Sequence, residues 1–212
     1  MYKKIDIDLW KRKAHFIFFK NYKEPFLGIT VDVDVTNAYQ IAKSREFSFF
    51  LYYLHKAITA ANILESFRYR IKDGEVLLYD VINASATINR ENGTFGFSYI
   101  AYHQAITKFI AAADIEILRV RNTDQLLPLI SGDDVIHFSS LPWIKFTALS
   151  HARNLDIQDS CPKISFGKMT DNKGKKSMPV SIHVHHALMD GSDVGKFIEC
   201  FQNLLDEKEI DL

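Results

Sequence analysis

Hydrophobic positions recur along this chain at two periods, and the periods divide it into strands and helices. Ile29, Val31, Val33 and Val35 alternate with Thr30, Asp32 and Asp34, a period of two that predicts a strand with one wet face. Before it, Asp8 is expected to cap a helix running from Leu9 towards Lys20 and carrying Arg12, because its carboxylate can accept the orphan N–H groups of a first turn. Thr36 is expected to cap a short helix after the strand. Residues 47–63 are so evenly apolar and aromatic that they predict a buried central helix. Residues 67–71 and 75–79 flank Asp73-Gly74, whose tolerance of positive φ suits a tight hairpin. Phe95, Phe97 and Tyr99 alternate with Gly96, Ser98 and Ile100 as a further strand, and residues 104–120 have a helical pattern. Strands are also expected at 135–139, 144–149, 164–168 and 179–185, the last two joined through the polar tip 171–176. Val194, Phe197, Ile198, Phe201, Leu204 and Leu205 recur at spacings of three and four and predict a closing helix. Hairpins mixed with helices predict an α/β protein: a two-layer sandwich with a mixed, mostly antiparallel sheet covered by helices. With no linker or internal repeat, residues 1–212 are expected to form a single domain.

Composition narrows the function. The hydrophobic share of 47% is ample for a core in a 212-residue chain. Lys plus Arg equals Asp plus Glu at 26 each, so no overall field draws the molecule to nucleic acid or an anionic membrane. Cys161 and Cys200 are far apart and form neither a disulfide framework nor a CxxC knuckle, the usage of a reducing compartment. The start, MYKKIDIDLW, lacks the apolar run of a signal peptide. A soluble, unprocessed, cytoplasmic protein is expected.

Candidate chemistry concentrates in HVHHALMDG, residues 183–191. Imidazoles bind transition metals, and His183 and His185 would share a strand face, but the segment offers no thiolate and no ligand spacing such as HExxH. No metal is expected. Packing histidines bonded to backbone carbonyls are the bland alternative. A strand running straight into His186 and on to Asp190-Gly191 and a helix start instead holds imidazole and carboxylate at one abrupt turn. A histidine held so can act as a general base. Asp190 can orient it as in a triad, or can hold the turn by pairing with a cation elsewhere.

His185-His186-Ala187-Leu188-Met189-Asp190-Gly191 resembles the HHxxxDG signature of the chloramphenicol acetyltransferase family, which is shared with the acyltransferase cores of 2-oxo-acid dehydrogenase complexes. Trp10-Lys11-Arg12-Lys13-Ala14-His15-Phe16 resembles that family's WxRxxHF opening, residues 67–74 its FR…IKDGE hairpin, and Ser139-Ser140-Leu141-Pro142-Trp143 its SxxPW strand. Order, spacing and length agree over nearly the whole chain. The resemblance implies a homotrimer with active sites in the clefts between subunits, and acetyl-CoA as co-substrate without a tightly bound cofactor. It implies that His186 is the general base, that Ser139 stabilises the oxyanion, and that Asp190 is salt-bridged to Arg12 as structural support. It also implies that Lys168 lies near CoA, that Ser165 helps hold a water near the reaction centre, and that Phe19, Phe95 and His151 line the acceptor pocket. Two departures stand out: Glu46 occupies a place where relatives often have lysine, and residues 149–152 differ from the usual FNLN. Two rivals therefore remain, an acetyltransferase for a different hydroxyl compound and an inactive binding protein of the same fold.

Overall fold

The computed structural model describes residues 1–129, 132–155 and 158–207. Its elements run in chain order β1 (Tyr2–Lys4), α1 (Lys13–Phe19), β2 (Phe26–Asp34), α2 (Thr36–Ser44), α3 (Phe49–Ile63), a 3-10 turn (Glu65–Arg68), β3 (Tyr69–Lys72), β4 (Glu75–Tyr79), β5 (Asn83–Asn89), β6 (Phe95–Phe97), α4 (Ile106–Arg121), β7 (Val135–Ser140), β8 (Lys163–Phe166), β9 (Thr170–Asn172), β10 (Lys175–His185) and α5 (Gly191–Asp206). The main sheet has the order β2-β10-β8-β7-β5-β6, with β9 folded back on β10; β1, β4 and β3 form a small second sheet. Only the β5–β7 and β7–β8 pairs in these ladders are parallel, so the expected mixed, mostly antiparallel sheet covered by helices is the observed architecture.

Alternation sorts the main sheet into two unlike faces. Val180, Ile182 and Val184 of β10, Ile164 and Phe166 of β8, and Phe138 of β7 point into one apolar core with α3 and α5. Tyr53 of α3 tilts onto Phe166 at 4.6 Å, and Phe197 of α5 stacks on Phe67 at 4.6 Å. Because ten residues of α3 are buried on all sides, it has no wet stripe, as its even apolarity predicts; Ser48 caps it by accepting the Leu51 N–H. The Asp73-Gly74 hairpin forms as expected, both residues having positive φ, 51° and 77°.

Three local expectations are corrected. Asp8 does not cap α1: the helix starts at Lys13 after Arg12, and the Asp8 carboxylate instead accepts a bond from Lys13 Nζ at 2.7 Å. Thr36 is the first residue of α2, and its hydroxyl accepts the Lys176 N–H at 2.8 Å while Asp34 takes the Thr36 N–H. Residues 144–149 form no strand. The Ile144 N–H closes a turn onto Leu141 O across Pro142-Trp143, and Phe146 is buried while Ile144 is 45% exposed, so the apolar residues there anchor a covering loop. Proline, lacking a donor, starts that turn.

Candidate active site

β10 delivers the histidine segment, and its exit is held by the backbone. The His186 N–H bonds Pro25 O at 2.8 Å, and the Leu188 and Met189 N–H groups both return to His185 O. His186 Nδ1 lies 3.1 Å from Met189 O. A carbonyl can only accept, so Nδ1 carries the hydrogen, and in the neutral tautomer the lone pair lies on Nε2. Phe19 stacks on the ring at 4.1 Å and 20°, which fixes the imidazole plane. His185 turns away: it is buried, its Nδ1 accepts the Ala187 N–H, and its ring meets the edge of Phe26. Burial, then the Arg153 charge, holds its pKa down to about 4.

Asp190 is not bonded to His186. It caps α5 by accepting the Ser192 N–H at 2.9 Å, Asp193 reciprocates by accepting the Asp190 N–H, and Arg12 Nη1 donates to Asp190 Oδ2 at 2.8 Å. The Arg12 bond holds the Asp190 carboxyl below its ordinary range. Of the two roles open to this carboxylate, the geometry is that of the cation pair which holds the turn.

The other face of the main sheet is polar and in register. Ser139 lies opposite Ser165, Ser165 opposite Ser181, and Ser181 opposite Thr30, a hydroxyl row across four strands and therefore about 14 Å long at the usual strand spacing. One pleat along, Ser85, His137, Lys163, His183 and Gly28 form a second row. Thr30 donates to Ser181 at 3.0 Å, and Ser181 Oγ is 3.1 Å from His183 Nε2. A Cβ on residue 28 would sit 2.6 Å from His183 Cε1, so glycine there makes room for the ring. The covering loop brings His151 edge-on to His183 at 4.8 Å, with its Nε2 3.5 Å from Ser165 Oγ. Burial first, then neighbouring positive charge, lowers His137 and His151 to about 4 and shifts His183 downward for the same leading reason. These imidazoles are therefore neutral hydrogen-bonding groups at pH 7. Lys163 is ion-paired with Asp159. The Ser139 hydroxyl makes no hydrogen bond among the described residues and is free to donate.

A cavity of about 740 Å³ opens where the parallel strands β5, β7 and β8 end. Lys168 lines it together with Ser140, Trp143 and Tyr53. Gly167 is required there, since a Cβ would lie 2.9 Å from Ile144 O and 2.6 Å from Pro179 Cγ. The structure thus joins Phe19 to His186, Arg12 to Asp190, and His151 to Ser165. Phe95 stands elsewhere, 45% exposed on edge strand β6 against Phe97. Sequence reasoning placed Thr30 on a wet strand face and His183 on a face with His185 but missed Ser181 and the row that joins them across four strands; the signal is the polar residue at every second strand position. Among the described residues no group of three His, Cys, Asp or Glu side chains could hold a metal, and no helix is long and apolar enough to cross a membrane.

No side-chain hydroxyl or thiol is bonded to His186 among the described residues, so its Nε2 is open to a bound molecule. The chain belongs to the chloramphenicol acetyltransferase family, matching it over residues 1–202. It is 27% identical over 208 residues to a chloramphenicol acetyltransferase of Proteus mirabilis, covering 96% of this chain and 94% of that one. Another from Bacillus pumilus is 26% identical, with 97% and 94% covered. A solved chloramphenicol acetyltransferase superposes with a TM-score of 0.86 at 30% identity over 97% of this chain and all of that one. A probable dihydrolipoamide acetyltransferase of Listeria monocytogenes, at 13% identity and a TM-score of 0.67 over 99% and 98%, shares the fold.

Proposed function

We propose that this protein is an acetyl-CoA-dependent O-acetyltransferase that acetylates chloramphenicol, with His186 as general base. The observation that carries the reading is the bare Nε2, oriented by the Nδ1 bond to Met189 O. Nε2 takes the hydrogen of the acceptor hydroxyl as that oxygen attacks the thioester carbonyl. Ser139 donates to the resulting oxyanion. The C–S bond then breaks, the imidazolium returns its proton to the sulfur, and CoA leaves beside the acetyl ester. Asp190 and Arg12 hold the turn, Lys168 faces CoA across the 740 Å³ cavity, and Ser165 with His151 borders the acceptor. Phe19 meets the acceptor's aromatic part at the edge of the base. Phe95 is so far from these contacts that its part in the pocket rests on the family resemblance alone.

The working form is a homotrimer with its sites in the seams. In support, among the described residues no hydrogen bond or ring contact joins the His186–Phe19 pair directly to Ser139, Ser165 or His151, an arrangement that a second copy, supplying one of the two groups, would complete. The cytoplasm suits a user of acetyl-CoA whose Cys161 and Cys200 are both free thiols. One observation favours a wider acceptor range: the partly exposed Ser139, His137, His151 and His183 offer hydrogen bonds to an uncharged, hydroxyl- or amide-bearing molecule, whether or not it has a nitrophenyl group. Thiol release from acetyl-CoA in the presence of chloramphenicol tests the proposal. Release with chloramphenicol supports it, release only with other alcohols moves the acceptor, and CoA binding without turnover contradicts it.

A further inference from the structure

The cavity beside Lys168 holds a second cation that the reaction as described does not use. Arg121 closes α4, and with Asp114 and Ile117 it occupies one helix face at spacings of three and four along the cavity wall. It is exposed and makes no ion pair or side-chain hydrogen bond among the described residues. The other arginine at this end of α4 is engaged: Arg119 is tied to Glu116 and Phe97 O. Arg121 also borders a neighbouring polar hollow of about 780 Å³ formed by residues such as Asn89, Arg90 and Glu91, so its guanidinium stands at the rim between an apolar chamber and a polar one. Glu46, which stands where relatives often have lysine, is not in the wall of either.

We propose that Arg121 is a specificity-determining residue that binds the phosphate end of acetyl-CoA. This rests on the reading of the Lys168 cavity as the CoA site. The pantetheine arm is neutral and narrow and suits the chamber of Phe49, Phe50, Trp143 and Met169. The nucleotide end is polyanionic and suits a free, planar guanidinium that binds phosphate through two parallel N–H bonds. Arg121 and Lys168 outweigh Asp114, the one carboxylate in the wall, so the cavity as a whole favours an anion.

Calorimetric titration of the full-length protein with CoA and with pantetheine, which lacks the phosphates, tests this without an acceptor. Arg121→Ala is expected to weaken CoA binding about tenfold, the scale of one charge-assisted contact, and to leave pantetheine binding as in wild type, with Arg121→Lys recovering part of the loss. If Lys168→Ala weakens CoA binding and Arg121→Ala does not, the role of Arg121 is overturned while the cavity remains the CoA site. If neither substitution weakens CoA binding, the cavity reading falls and the Arg121 proposal with it. Equal weakening of CoA and pantetheine by Arg121→Ala would mean that the side chain shapes the chamber rather than binding phosphate, and would overturn the proposal too.

Discussion

Residue 186 is held by two contacts that divide the imidazole between them: a carbonyl takes the Nδ1 hydrogen and a phenyl ring fixes the plane. Ser139 is the complementary case, a hydroxyl with no hydrogen-bond partner among the described residues, which the proposed mechanism assigns to the oxyanion. Replacing Ser139 by Ala is expected to lower kcat about 100-fold with little change in KM, since a contact made only in the transition state affects rate rather than binding. Steady-state kinetics with both substrates check this; a rise confined to KM would assign Ser139 to ground-state binding. The signature around His186 was legible in the sequence because it is local, a strand exit and helix start within nine residues. Arg121 was not, since an arginine at the end of an amphipathic helix has the pattern of a solvated charge until β5, β7 and α3 close a cavity around it.

Elements position these groups, and their stability is open to measurement. Asp190 couples the β10 exit to α5 by capping the helix and pairing with Arg12. Asp190→Ala is expected to cost about 1–2 kcal/mol, mostly the cap, because a carboxylate 35% exposed gains a screened ion pair only; the urea midpoint reads it. The outer face of the sheet imposes a pH dependence. His137, His151 and His185 fall from the ordinary 6.5 to about 4 on folding, so between those values the unfolded chain holds protons that the folded chain does not. Stability therefore rises with pH across this window and is lost as pH falls from 6.5 towards 4. Urea melts at pH 7 and pH 5 are expected to show a lower midpoint at pH 5, and His185→Gln to reduce the difference. The strong alternations of β2 and β10 and the closing helix could be read from the chain. β5 could not, because Ala84, Ser85 and Ala86 have weak strand preference and are held by a parallel partner fifty residues away. The 144–149 segment misled for the converse reason: its apolar residues are real anchors, but Pro142 directs the backbone into a turn.

In the whole molecule, one face of the sheet is sealed by helices and the other is polar, with Ser165, Ser181 and Lys163 already buried in the single chain; the proposed trimer is testable by complementation. If His186 of one subunit serves the Ser139 row of the next, co-expressed His186→Ala and Ser139→Ala chains should regain activity neither has alone, about one quarter of the wild-type level for random three-fold assembly. No recovery would put base and row in the same chain. The central claim, that His186 removes the hydroxyl proton, is tested most directly by the initial rate of thiol release from saturating acetyl-CoA and acceptor catalysed by His186→Ala. The account predicts a fall of about 1,000-fold or more with the oligomer intact by sedimentation; a rate within a few fold of wild type would contradict it.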